Sequence, residues 1–176
     1  MSESALIWYF AYGSNMHAAT FRGRRGIEPL EARAARAPGW RVVLDKPPLL
    51  PIGESFANLI RDPDGEALGV AYRIDDAAWQ HVCFTEGVAI GNYACVDLEC
   101  VALGDGVQFL ATTLSSEQRD ASLLPSRRYM ETLIAGAEEH GLPAAYVAHL
   151  RAQPAVEESA DARRFRPLLD QVMRRG

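Results

Sequence analysis

The segment from Trp8 to Met16, WYFAYGSNM, constrains the fold most, because an apolar run typical of a buried strand ends abruptly in Gly13, Ser14 and Asn15. The residues from Met16 to Phe21 are compatible with a helix. A helix that starts after such a turn leaves backbone N–H groups free at its N-terminus, where a negative group binds. Ser14 or Asn15 is equally suited to cap that helix with no ligand present. The motif therefore predicts either an anion site or a plain strand-to-helix connection.

A second informative segment is DDAAWQHVCFTEG, from Asp75 to Gly87. Asp75 or Asp76 is suited to cap a helix whose apolar residues recur at steps of three and four. Glu86 lies four residues after Val82 and so falls on the apolar stripe. Burial of a carboxylate disfavours its charged form, which is a common way to make a general acid or base. The alternatives are a glutamate that extends into water or one that pairs with an arginine.

Together with later segments, these residues resemble the γ-glutamylcyclotransferase family. The resemblance extends from about Tyr9 to Leu150, and its motifs come in the family's order. Each motif is weak alone, but the ordered set is specific. The motifs are Tyr12 to Asn15, Gly69-Val70, Glu86-Gly87-Val88 with Tyr93, Pro125-Ser126 with Tyr129, Gly136-Ala137, Gly141-Leu142-Pro143 and Tyr146.

The resemblance implies an α+β fold, a small mixed β-barrel with flanking helices, with a cavity between the YGSN turn and Glu86. It also implies a cofactor-independent acyltransferase of glutathione metabolism, which turns a γ-glutamyl amine into 5-oxoproline and releases the amine. Family members that act on γ-glutamyl amino acids often carry a further tyrosine on the last strand. This chain has no tyrosine there, from Phe109 to Thr113, so the sequence leaves the identity of the amine open.

The chemistry of that reaction matches the residues. The substrate's own α-amino nitrogen attacks its γ-carbonyl, so the protein needs no nucleophile. The α-amine has a reference pKa of about 8, so a base must take its proton, and the acid so formed can protonate the leaving nitrogen. Glu86 is predicted to be this base and acid. The resemblance implies substrate binding by the backbone amides of the turn and by nearby tyrosines: Tyr12, Gly13, Ser14, Asn15, Tyr93 and Tyr129. Core packing is an alternative role for the last two tyrosines.

Two other functions remain compatible with the sequence. A hydrolase or acyltransferase with Ser14 as nucleophile would need a base in contact with it, and His17 is three residues away. A non-catalytic module that binds γ-glutamyl or carboxylate ligands would keep the fold and the anion site without turnover. Retention of Glu86 argues against that module, because a carboxylate binder gains nothing from a buried negative charge beside its ligand.

Composition limits the class of protein. A chain of 176 residues with 48% hydrophobic content suits one globular domain, residues 1–176, with a core at about 9–150 and a C-terminal extension at 151–176. The net charge of −5 argues against a general binder of nucleic acid or anionic membranes. Two clusters of arginines are expected to be solvent-exposed: Arg22, Arg24 and Arg25, and then Arg163, Arg164, Arg166, Arg174 and Arg175.

The sequence contains neither an apolar stretch long enough for a membrane span nor a secretory signal, which predicts a cytoplasmic protein. Its three cysteines are expected to be reduced packing residues. Its four histidines show no metal-binding spacing, so no metal site and no cofactor are predicted. The predicted partner is a small-molecule γ-glutamyl amide, and the sequence does not fix the oligomeric state.

Periodicity and turn residues predict the elements that surround these motifs. The segment Lys46 to Ser55, rich in proline, is expected to be a loop that either covers the cavity or simply connects two strands. Helices are expected from Arg127 to His140, from Pro143 to Arg151, and at the C-terminal end. The predicted strands are Leu6 to Ala11, Trp40 to Leu44, Phe56 to Ile60, Ala67 to Ile74, Tyr93 to Val101 and Val107 to Thr113.

Overall fold

The computed structural model describes residues 5–174, and its centre is a closed five-stranded barrel in the order β1-β3-β2-β4-β5. The strands are β1 (Leu6–Ala11), β2 (Glu31–Lys46), β3 (Phe56–Asp75), β4 (Ala94–Ala102) and β5 (Gln108–Ser115). Neighbouring strands are antiparallel, except that β1 meets β5 in parallel where Tyr9 lies opposite Thr112. The predicted fold class, a small mixed β-barrel with flanking helices, is confirmed.

The two longest strands were only partly predicted. The strand expected at Trp40 to Leu44 is the end of β2, and the two strands expected between Phe56 and Ile74 are one continuous β3. Pro38-Gly39 lies inside β2, and the strand passes through it with a shift of register between Pro38 and Trp40. Gly39 takes a positive φ of 78° there, a conformation that glycine adopts without strain.

The segment after β1 is not the predicted helix. Ser14–Met16 forms a single 3₁₀ turn, and Ala19–Arg24 forms a short π-helix. The side chains of Met16 and Phe21 are fully buried, as is that of Arg25, which follows the π-helix. Arg25 therefore points into the protein at the end of the π-helix. The sequence had predicted it to be solvent-exposed with Arg22 and Arg24. The corresponding prediction for Arg175 lies outside the described residues.

Four α-helices flank the barrel: α1 (Asp76–Thr85), α2 (Arg127–Glu139), α3 (Ala144–Arg151) and α4 (Ala160–Met173). The predicted caps are confirmed, since Asp75 accepts from the Ala78 amide at 2.7 Å and Ser126 accepts from the Tyr129 amide at 3.2 Å. Gly87 follows the α1 helix in the left-handed conformation, with φ of 73°. No helix within residues 5–174 is long and apolar enough to cross a membrane.

Candidate active site

A cavity of about 690 Å³ opens at one end of the barrel. We call its barrel side the inner wall, which consists of the turn after β1, the residue that follows α1, and nearby tyrosines. The structure brings all the predicted site residues together there: Tyr12, Gly13, Ser14, Asn15, Glu86, Tyr93 and Tyr129. Residues as far apart in the sequence as Tyr12 and Tyr129 thus share one lining surface because the barrel closes β1 against both β3 and β5.

The YGSN turn leads into a three-residue 3₁₀ turn and not into an α-helix. Gly13 occupies the position before the 3₁₀ turn with no side-chain cap, so neither Ser14 nor Asn15 caps a helix as expected. The Met16 amide donates to the Gly13 carbonyl and the His17 amide to the Ser14 carbonyl, both at 3.1 Å. These bonds use the later amides of the turn, so the earlier amides of Ser14 and Asn15 lie outside its internal hydrogen bonds.

The side chain of Asn15 is part of the scaffold. It is buried, and its Nδ2 donates to the Tyr9 hydroxyl at 2.9 Å while its Oδ1 accepts from Arg25 Nε at 2.7 Å. Both ends of the amide are therefore occupied by protein. Asn15 connects the β1 strand to Arg25 and holds the turn against the barrel.

Glu86 has the arginine partner that the sequence left as an alternative. It is the residue after α1, its side chain is 24% exposed, and its Oε1 accepts from Nη2 of Arg25, whose side chain is 0% exposed. Arg25 also donates to the Thr85 hydroxyl. Of the alternatives that the sequence left open, the structure thus shows the pairing with an arginine, a charge-assisted hydrogen bond of the strong kind. The expectation that Arg25 is solvent-exposed is therefore wrong.

The tyrosines of the inner wall differ in whether their hydroxyl proton is donated to another protein group. Tyr12 donates its hydroxyl proton to the Leu114 carbonyl at 2.6 Å, and Tyr93 donates to the Ala57 carbonyl at 3.1 Å. Tyr129 instead accepts from the Ala57 amide at 3.1 Å, so its own proton remains available to a ligand. Tyr93 thus lines the cavity but donates to the backbone and not to Glu86.

These hydroxyls are neutral at ordinary pH. Burial raises the pKa of Tyr9 to about 12 and raises the pKa of Tyr12, Tyr93 and Tyr129 well above the usual tyrosine range, with the charge of Glu86 adding to the effect of burial. The inner wall therefore offers hydrogen-bond donors and one ionisable carboxylate beside a fixed guanidinium.

Lys46 is a cavity-lining residue that the sequence reasoning missed. It ends β2, is 1% exposed, and its Nζ donates to Asn92 Oδ1 at 2.8 Å, to the Pro47 carbonyl at 2.7 Å and to Gln118 Oε1 at 3.3 Å. These acceptors use the donor capacity of an ammonium group. Burial lowers the pKa of Lys46, and the charge of Glu86 opposes that shift. The available signal was that Lys46 is the only lysine in the sequence.

Asn92 links Lys46 to the acidic residue. Its Nδ2 donates to the Glu86 carbonyl at 2.9 Å, and its amide donates to the Gly87 carbonyl at 3.0 Å. Asn92 thus fixes the backbone of Glu86, whereas Arg25 contacts its side chain. This residue was also missed, because a loop asparagine carries no distinctive local signal.

The outer wall of the cavity comes from the C-terminal extension and the proline-rich loop. The loop that follows Lys46 lines the cavity, as expected for one of its two predicted roles, and α4 lies across from it. Glu54, at the end of the loop, accepts from the Ser159 amide at 2.6 Å and so joins the two segments. The apolar members of the outer wall are Leu49, Leu50, Ile52, Leu169, Val172 and Met173.

The alternative chemistries receive no support from their expected partners. His17 Nε2 lies 3.3 Å from Glu139 Oε1, so the candidate base for Ser14 is paired with another residue. Cys83 and Cys95 are free thiols with sulfurs 3.7 Å apart, and Cys100 is buried. Within residues 5–174, no group of three or more histidine, cysteine, aspartate or glutamate residues is arranged to hold a metal ion.

Comparison with known proteins agrees with the resemblance found in the sequence. A model of the AIG2-like family matches residues 66–150. The γ-glutamyl cyclotransferase aclK of Aspergillus oryzae is 31% identical over 170 residues, which cover 83% of this chain and 60% of the relative. The γ-glutamyl cyclotransferase gliK of Claviceps purpurea is 34% identical over 149 residues, which cover 79% of this chain and 66% of the relative. The chain thus spans somewhat under two thirds of each relative.

A solved structure of a γ-glutamyl cyclotransferase has the same fold. It superposes with a TM-score of 0.75 at 19% identity, over 95% of this chain and 99% of its own length. At that identity the likeness concerns the fold alone. The matched family model, the two curated relatives and the motifs around the cavity agree, and together they support the γ-glutamylcyclotransferase family for this chain.

Proposed function

We propose that this protein is a γ-glutamyl cyclotransferase, which converts a γ-glutamyl amide to 5-oxoproline and a free amine. The observation that carries the proposal is the position of Glu86 on the same cavity wall as the YGSN turn and Tyr129. A base and hydrogen-bond donors are what an intramolecular cyclisation requires from a protein. The names of the two curated relatives support the same reaction class.

In the proposed mechanism, the carboxylate of Glu86 takes a proton from the α-ammonium of the substrate. The free amine then attacks the γ-carbonyl carbon, a ring forms, and negative charge develops on the carbonyl oxygen. Glu86 returns the proton to the leaving nitrogen, and the carbon–nitrogen bond breaks as the carbonyl re-forms. The ring nitrogen, which still carries two hydrogens after the attack, gives its second proton to Glu86 or to the released amine, and 5-oxoproline and the amine depart. General acid and base help of this kind contributes about 10²- to 10⁴-fold to the rate.

The other residues of the inner wall position the reacting groups. Arg25, which contacts Glu86 from behind the wall, holds that carboxylate in place. The Tyr129 hydroxyl and the early amides of the YGSN turn are the donors available to the α-carboxylate or to the developing oxyanion. Fixing the ends of a flexible substrate close together contributes more than the base alone, because it removes the entropy of ring closure beforehand.

The first test is the identity of the product. Wild-type protein and a Ser14→Ala variant are incubated with γ-glutamyl amides, and mass spectrometry follows 5-oxoproline, glutamate and the released amine. Equal amounts of 5-oxoproline and amine from both proteins support the proposal. Glutamate in place of 5-oxoproline, lost in Ser14→Ala, would favour the hydrolase. Ligand binding without any product would favour the binding module.

The cytoplasmic location and the place in glutathione metabolism stay predictions from the sequence.

A further inference from the structure

The two walls of the cavity differ in the surface that they offer a ligand. The inner wall is built from tyrosines, a carboxylate and backbone amides. On the outer wall, Leu49 is 56% exposed, Leu169 is 37% exposed and Val172 is 51% exposed. Exposed aliphatic side chains that converge on a cavity from two separate segments mark a surface for an apolar ligand group.

The apolar surface begins next to the proposed base. Leu49 Cδ1 lies 3.3 Å from the position that a β-carbon on Gly87 would occupy, and Gly87 directly follows Glu86. Leu169 and Val172 face the same cavity from α4. A substrate whose γ-glutamyl group contacts Glu86 therefore extends its other end, the amine part, along the outer wall.

The size of the cavity fits a ligand larger than the γ-glutamyl group. Pockets of about 300 to 1,000 Å³ enclose drug-sized ligands, and this cavity measures about 690 Å³. The γ-glutamyl group is a small part of such a volume. The remaining space lies beside the outer wall.

Several charged side chains of the outer part have an opposite charge nearby, with Arg128 and Arg166 sharing Glu158, while Arg174 lines the same part of the cavity. Arg24 Nε lies 2.5 Å from Asp170 Oδ1, Arg166 pairs with Glu158, and Arg128 Nε lies 3.8 Å from Glu158 Oε1. Charged side chains that form ion pairs within the protein contribute less to the binding of an ionic ligand. Apolar contact is thus the main interaction that this wall offers.

We infer that the amine released by this protein carries a bulky apolar group, which is bound between Leu49 on the proline-rich loop and Leu169 and Val172 on α4. This inference rests on the proposed function and adds the substrate class. Leu169 and Val172 are then specificity-determining residues, and the C-terminal extension forms half of the substrate site.

The test compares γ-glutamyl conjugates of benzylamine, methylamine and glycine by kcat/KM for 5-oxoproline release. Wild-type protein is expected to prefer the benzylamine conjugate over the other two by about tenfold or more, since even small apolar groups in a pocket are discriminated to that extent. Leu169→Asp is expected to lose most of this preference.

The matched control is Leu168→Asp. Leu168 is the neighbouring leucine on α4, is 56% exposed, and is not among the residues that line the cavity. It should keep the wild-type preference. Leu169→Ala, with a milder loss of preference, covers the case in which Leu169→Asp does not fold, and thermal unfolding identifies that case.

The outcomes separate the two proposals. Release of 5-oxoproline from the methylamine conjugate as readily as from the benzylamine conjugate would overturn the inference and leave the cyclotransferase proposal intact. A preference for the glycine conjugate would mean that the arginines select a carboxylate, and would also overturn it. No 5-oxoproline from any conjugate would contradict the proposed function and with it this inference.

Discussion

The inner and outer walls of the cavity are held together in different ways. On the inner wall, most polar side chains are fixed by protein partners that are distant in sequence: Arg25 by Glu86, Tyr12 by Leu114, and Tyr93 by Ala57. The outer wall is attached at a few points, among them the Glu54 contact to Ser159 and the His81 contact to the Met173 carbonyl at 2.8 Å. In our proposal, the inner wall holds the reacting groups in a fixed geometry. The outer wall, which has fewer attachments, selects the amine.

Among variants that test this difference between the walls, Arg25→Met should lower the free energy of unfolding most. Removing one partner of a buried ion pair leaves the other uncompensated and costs about 3 kcal/mol or more of the free energy of unfolding. Arg24→Met is the matched control, because Arg24 pairs with Asp170 of α4 on the outer wall. Arg24 is 31% exposed and pairs with Asp170, so its loss should cost less than about 1 kcal/mol. Urea denaturation measures both, and equal losses would contradict the difference between the walls.

A methyl group on Gly136 should disturb the inner wall next most. A β-carbon there would lie 2.7 Å from the Met16 carbonyl carbon and the His17 amide nitrogen, so α2 and the YGSN turn would have to separate. Overpacking of this kind costs about 1 to 3 kcal/mol, and kcat/KM should fall with it. Gly23→Ala is the control, because a β-carbon on Gly23 meets nothing within 4 Å. A Gly136→Ala variant as stable and active as Gly23→Ala would refute this close packing.

Glu54→Gln should loosen the outer wall and leave the inner wall intact. The Ser159 amide would lose a charged acceptor, which costs about 1 to 2 kcal/mol, and α4 should exchange its amide hydrogens faster. Hydrogen–deuterium exchange of residues 160–173, compared with that of β1, measures the effect. Glu157→Gln is the control, because the Glu157 side chain is 81% exposed. Unchanged exchange in α4 would show that Glu54 does not attach it.

The smallest effect concerns Tyr9 at alkaline pH. Because burial raises the pKa of Tyr9 to about 12 in the folded protein, the folded state keeps a proton that the unfolded state releases above pH 10. Stability is therefore complete below pH 10 and falls as the pH rises towards 12. Wild-type protein loses free energy of unfolding between pH 8 and pH 11, and Tyr9→Phe should make that loss smaller by about 1 kcal/mol. Denaturation curves at the two pH values test this, and an identical loss in both proteins would contradict it.

Local signals in the sequence were sufficient for some elements and not for others. β1 runs from Leu6 to Ala11 as predicted, and the helices after Asp75 and Ser126 begin where their caps indicate. The early part of β2 was missed because Pro38-Gly39 is a local turn signal that the pairing with β3 overrides. Strand pairing is a long-range interaction that no window of sequence contains.

The same limit applies to the site. Glu86 and the YGSN turn stood out because they carry family motifs and a recognisable helix pattern. Arg25 did not, since its burial depends on Glu86, which is 61 residues away. An arginine cluster gives no local indication that one member is buried and the next exposed. The partners that hold a catalytic side chain are thus harder to predict than the side chain itself.

The central claim is that Glu86 performs the proton transfers, and Glu86→Gln tests it most directly. Glutamine can still accept from Arg25, so the fold should persist, which thermal unfolding verifies. The account predicts that kcat for 5-oxoproline release falls by about 10²- to 10⁴-fold while the variant still binds substrate, as measured by calorimetry. A folded Glu86→Gln protein that releases 5-oxoproline at the wild-type rate would contradict it.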